Sequence, residues 1–218
     1  MRKQFELALT ALMALGLLAC GSPPVKEPER TGFISDYSNL VMEEDQSIEL
    51  LADEAYVYFS DRLVNYRAFM LDDIVMLFKP DPEESKLDQE ELAELLEHAR
   101  TELEQALTQD DYFSVTTEAG DGVARLRLAI TEVEATIGAL NFSSYTRVTG
   151  AGLGGAAAEG EVVDSVTGEQ LAAAIRWGGG NRIGKAGLTK TGDAKLILSR
   201  WAKNFREDLD SLHGVSGD

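Results

Sequence analysis

Four kinds of residue in this chain have types and spacings that suggest chemistry: two glycine-rich loops, acidic pairs, two histidines and one cysteine. Gly150-Ala151-Gly152-Leu153-Gly154-Gly155 carries the letters of the G-x-G-x-x-G dinucleotide loop. That loop works only between a strand and a helix start, where backbone amides meet a pyrophosphate. The residues after it, AAAEGEVVD, read as strand, so a bulged connection is expected. Gly179 to Lys185 spells G-x-x-x-x-G-K, but Ala186 stands where a phosphate loop needs the Ser or Thr that holds magnesium. No cofactor is therefore expected. The same loop carries Arg182, Lys185 and Lys190 on an acidic chain. Arg182 and Lys185 are thus candidate contacts for an acidic partner or a phosphate-bearing lipid.

No nucleophile and base pair up in the sequence. His98 falls inside an acidic helix and His213 in the C-terminal tail, and both read as surface residues. No G-x-S-x-G elbow is present. A carboxylate pair is what a glycosidase uses. With 38 acidic residues, pairs arise by chance, and Asp72-Asp73 and Asp110-Asp111 read as element ends. No catalytic or metal-ligating residue is assigned. The chain reads as non-enzymatic, with an unrecognised carboxylate pair as the least favoured alternative.

Composition agrees. Net charge is -18, from 20 basic and 38 acidic residues. A sequence-independent nucleic-acid binder needs the opposite balance, so no nucleic-acid partner is expected. One cysteine excludes an internal disulfide framework and a Cys-rich zinc site. Apolar residues at 44% and charged residues at 27% are ordinary for a folded domain.

The N-terminus carries an address. Met1-Arg2-Lys3 is a basic head, and Leu7 to Ala19 is an apolar run of 13 residues. A membrane-spanning helix needs about 20 residues, so the run fits the core of an export signal. It ends in Leu17-Leu18-Ala19-Cys20, which resembles the lipobox of bacterial lipoproteins. The resemblance implies that residues 1–19 are a signal peptide. It implies that Cys20 is acylated with palmitate-type chains and becomes the first mature residue. Two or more chains make such an anchor stable where one does not. Gly21, in place of an inner-membrane Asp signal, implies the outer membrane with the domain facing the periplasm. The mature chain of 199 residues loses Arg2, Lys3 and Glu6 and carries net -19.

The elements follow from pattern. Residues 20–31, with three of the five prolines, read as a tether. Residues 32–213 form one α+β domain, and 214–218 a tail. Gly32 to Leu40 reads as a docking strand or turn at the domain entrance. Glu54 to Phe59 and 68–78 read as strands, the second stopped by Pro80 and Pro82. Asp88 to Gln109 is the clearest helix. Asp88 and Glu91 have capping-box spacing, and Leu92, Leu95, Leu96, Ala99, Leu103, Ala106 and Leu107 form one stripe. Its other face is acidic. Tyr112 to Thr116 and Val123 to Ala135 read as strands. Ala156–Asp164 and Glu169–Trp177 flank a turn and read as a hairpin, with Asp164, Thr167 and Gly168 as its structural residues. Gly178 to Gly192 reads as a loop, and Asp193 to Leu212 as the last helix. The expected fold is a mostly antiparallel sheet with two helices packed on one face.

Two blocks carry a further resemblance. The first is Gly32, Phe33, Ser35, Asp36, Tyr37, Ser38 and Leu40. The second is Glu159 or Glu161 with Asp164, Ser165, Thr167, Gly168 and Glu169. Together they resemble a family of Gram-negative lipoproteins known only as a domain of unknown function. The resemblance implies an envelope location and an α+β domain, and brings no activity. Asp36 and Tyr37 read either as a docked N-terminal lock or as a partner-binding patch. The functional expectation is an outer-membrane lipoprotein that binds other envelope proteins, with the membrane reached through the lipid anchor. The alternative is a small-ligand or lipid binder, which calls for an apolar pocket of several hundred cubic ångströms.

Overall fold

The computed structural model describes residues 30–43, 53–77, 87–134, 155–179 and 189–215. Alternation of apolar and polar residues produces eight strands. They are β1 (Val41–Met42), β2 (Asp53–Phe59), β3 (Ala68–Leu71), β4 (Val75–Met76), β5 (Ser114–Thr116), β6 (Val123–Glu134), β7 (Gly155–Asp164) and β8 (Gln170–Gly179). They form one sheet in the order β1-β2-β8-β7-β6-β3-β5, with β4 also pairing β6. The long pairs β2/β8, β8/β7 and β7/β6 are antiparallel; β3 and β4 run parallel to β6, and β5 parallel to β3. The sheet is mostly antiparallel but mixed.

Two helices, α1 (Gln89–Leu107) and α2 (Gly192–His213), cover one face. The capping box at Asp88 is complete: its carboxylate accepts from the amides of Glu90 and Glu91, and Glu91 accepts from the Asp88 amide. Gly214, in the left-handed region at φ 65°, ends α2. The helix stripes meet the sheet in one buried cluster of Leu92, Leu95, Ala99, Ile197, Leu198 and Trp201 with Ile130, Val133, Ala156 and Ala158. A second cluster, around Leu63, Phe69, Leu107, Phe113 and Leu209, fills the other end. Lys190 and Lys195 pair with Glu91 and Glu94 of α1 at 3.0 and 3.3 Å. Part of the acidic face of α1 is thus matched by basic residues at the start of α2.

The structure corrects several sequence expectations. The strand expected at 68–78 is two short strands along β6, interrupted at residues 72–74. The pairing shifts by one residue between Leu71/Leu126 and Val75/Ala129; in that gap the Asp72 amide bonds the Leu126 carbonyl and its carboxylate takes Arg125 at 2.7 Å. The strand expected from Tyr112 starts only at Ser114, because the Asp110 carboxylate takes the Tyr112 amide into a turn. At its two ends, the loop expected from Gly178 to Gly192 is strand β8 up to Gly179 and the first residue of α2 at Gly192. On α2 the charged Arg206 is buried, at 2% exposure. It bonds Asp110 at 2.6 Å, Asp210 at 2.8 Å and the Ala106 carbonyl at 3.1 Å, tying the end of α1 to α2.

Candidate functional site

Strand β7 buries two carboxylates. Its residues alternate between sheet faces. Ala156, Ala158 and Val162 meet the helix side, while Ala157, Glu159 and Glu161 point to the other face, and both glutamates are only 1% exposed. Burying a carboxylate is costly unless it is paired and hydrogen-bonded. The partners come from the segment Thr31–Leu40, which lies across this face as a strap. Glu159 accepts from the Thr31 amide and hydroxyl, both at 2.8 Å, and from the Tyr37 hydroxyl at 2.5 Å. Glu161 accepts from the Ser35 amide at 3.0 Å and hydroxyl at 2.7 Å, from the Gln170 amide at 3.2 Å, and from Arg127, its cross-strand neighbour on β6.

An apolar layer seals the contact. Ile34 is buried with Ala157, Ala173, Ile175 and Trp177, and Phe33, Tyr37, Leu40 and Tyr56 pack around them. Arg127 stacks on Phe33 at 5.0 Å, and Arg30 on Tyr37 and Tyr56 at 5.5 and 5.9 Å. The Tyr37 oxygen also accepts from the amides of Gly32 and Ile34. Burial and the bond to Glu159 raise the Tyr37 phenol pKa above its ordinary value. The structure therefore brings Tyr37 into the interior contact. Asp36 beside it faces solvent and accepts from the Ser38 amide at 2.8 Å, which lowers its pKa. Two blocks separated by more than a hundred residues are thus the two halves of one contact.

Sequence reasoning missed the role of Glu159 and Glu161. A readable signal was present: two glutamates two apart in a strand of small residues, and a distant segment rich in Ser, Thr and Tyr hydroxyls.

The hairpin turn uses Asp164 as a hub. Its carboxylate accepts from the amides of Val166 at 3.0 Å and Thr167 at 2.6 Å and from the Tyr66 hydroxyl at 2.7 Å, and Gly168 supplies φ 75°. The Thr167 amide and the Tyr66 hydroxyl hold Asp164 well below the usual carboxylate range. Cys20, Arg182, Lys185 and the loop of Gly150–Gly154 lie outside the described residues.

The histidines are not simple surface residues. His98 Nε2 lies 2.9 Å from Ser199 Oγ, and Nδ1 lies 3.9 Å from Glu102. This has the outline of a Ser-His-Glu triad, but 3.9 Å is too long for the hydrogen bond that would orient the ring. The same Nε2 is 3.1 Å from the Lys195 carbonyl, to which Ser199 Oγ donates at 2.9 Å. The group joins α1 to α2. His213 is the last residue of α2 and packs edge-on to Tyr112 and Phe113. Burial and nearby Arg67 lower its pKa.

Between sheet and helices lies an apolar cavity of about 100 Å³, partly open to solvent. Its floor is Ala158, Gly160, Ala172 and Ala174, and its roof includes Leu103, Leu198, Trp201 and Phe205. It is smaller than the pocket expected of a lipid binder, yet the core is not solid. At its edge Arg176 sits 3.4 Å from Asp208 and 3.5 Å from Glu43. Burial raises the Asp208 pKa to about 6 against the pull of Arg176. Among the described residues no cluster of three metal-ligating side chains forms, and no helix is long and apolar enough to cross a membrane.

No curated protein matches the chain. Among solved structures it is similar to the PelC dodecamer from Paraburkholderia phytofirmans, at 11% identity and TM-score 0.42, over 76% of this chain and 100% of that one. It is also similar to protein XCC0632 from Xanthomonas campestris, at 7% and TM-score 0.41, over 67% and 88%. Lipoprotein GNA1162 from Neisseria meningitidis follows at 16% and TM-score 0.29, over 65% and 98%. A family model described as a protein of unknown function, DUF3313, matches residues 29–205, a span that begins beside the strap and ends on α2. The chain belongs to that family.

Proposed function

We infer that this chain is an outer-membrane lipoprotein, anchored through Cys20, whose domain faces the periplasm and serves as a non-enzymatic binding component of an envelope assembly. The carrying observation is the strap. Thr31 is the last residue of the expected tether, and Thr31, Ser35 and Tyr37 are bonded to β7 near the centre of the sheet. Such a lock supports a domain held at its N-terminus, because tension from an anchor reaches the middle of the fold and not a frayed edge. Exposed Asp36, beside the lock, is a partner contact in this reading, together with Arg182 and Lys185.

The test has two arms. Cys20→Ala is expected to move the protein from the membrane pellet to the soluble fraction, and unchanged fractionation would defeat the anchor. Crosslinking in intact envelopes, through probes at position 36, is expected to capture a discrete protein partner. A ladder indistinguishable from a probe on the solvent face of α1 would defeat the binding role.

A further inference from the structure

The cavity between sheet and helices has a chemistry of its own. Its lining is almost wholly apolar, and the small residues of β7 and β8 create it. Gly160 is the tightest of these: an added Cβ would lie 3.3 Å from the Leu128 side chain. Trp201 also lines the space and is 7% exposed, and its indole N–H has no acceptor among the described residues. A buried donor without an acceptor loses the hydrogen bond it had in water. A tryptophan N–H usually finds a partner when buried.

Charge at the edge narrows the ligand. One guanidinium, Arg176, already faces two carboxylates, Asp208 and Glu43. An incoming anion would find no free cation there. A cation would have to shed its water against walls that, apart from that edge, are apolar. Size narrows it further: an apolar cavity of about 150 Å³ takes up benzene, and this one is about 100 Å³.

From these observations we propose that the cavity is a binding site for a small uncharged molecule with a short alkyl body and one acceptor oxygen, a ketone or ester, whose oxygen takes the Trp201 indole proton. The proposal stands apart from the anchor and from the envelope partner, neither of which it needs.

The two tryptophans of the chain make the test direct. Full-length protein in lipid nanodiscs, labelled with ¹⁵N at the indoles, gives one signal for Trp177 and one for Trp201, assigned by Trp201→Phe. Titration with acetone is expected to move the Trp201 signal downfield and to saturate. Trp177, on the strap side of the sheet, should stay in place, and acetate, of similar size but charged, should move neither. Ala202→Leu fills the cavity from α2 and should abolish the shift; Ala158→Val fills it from the sheet if the helix variant does not fold. An unmoved Trp201 signal would overturn the proposal. So would parallel movement of both indoles, an equal response to acetate, or a shift that survives in a folded cavity-filled variant.

Discussion

Glu159 shows how a single side chain can make a distant segment obligatory. Every donor the described residues give it comes from the strap, Thr31 and Tyr37. Glu161 has in addition Arg127 and Gln170 from the sheet itself. The two should therefore respond differently. Tyr37→Phe removes one hydrogen bond to a buried carboxylate and is expected to cost about 2 kcal/mol. Glu161→Ala leaves Arg127 facing a cavity and should cost about 3 kcal/mol, since breaking a buried pair exceeds the worth of the pair. Urea unfolding of both variants reads these directly. Asp208 gives a pH-dependent case. Its folded pKa, about 6, lies above the ordinary value of 3.8. The stability it contributes is thus full below about pH 4 and is lost as pH rises through 6. Asp208→Asn should match the parent at about pH 3.5 and gain melting temperature relative to it at about pH 8. A gap that is the same at both pH values would mean that burial does not dominate at this carboxyl.

Elements were legible where one pattern had one explanation. The stripe of α1 and its capping pair fixed both type and start, and Asp88→Ala is expected to lower stability by about 1 kcal/mol in a thermal or chemical melt. The hairpin of β7 and β8 was equally plain, because Asp164 and Gly168 carry their turn chemistry in their types. Legibility failed where a side chain chose a tertiary partner over its local pattern. Asp72 sits in the one-residue register shift between β3 and β4 and bonds Arg125 of β6. His213 looks like a tail residue until Tyr112 and Phe113 are folded against it. The parallel pairing of β3 with β6 had no local signal at all, since direction depends on how far the chain travels between strands. The carboxylates of β7 were the largest gap. Glu at alternate strand positions ordinarily means a solvated face, and only the strap reverses that meaning.

Among the described residues one face of the sheet is covered by helices and the other is crossed by a ten-residue segment, and the second cover is the more conditional. Its bonds to β7 join residues 122 to 128 positions apart. Contacts of that separation close late, because the loop entropy is met before the contact is formed. Tyr37→Phe is therefore expected to speed unfolding and leave the folding rate nearly unchanged, a result that stopped-flow refolding and unfolding arms can separate. A slowed folding arm would place the strap in the nucleus instead. The same separation sets an order of events during synthesis. The strap leaves the ribosome before any of its acceptors exist, and β7 follows more than a hundred residues later. For that interval Thr31 through Tyr37 are an uncommitted leader, open to whatever modifies or sorts a nascent chain. The portion of the domain made first is then among the last to close.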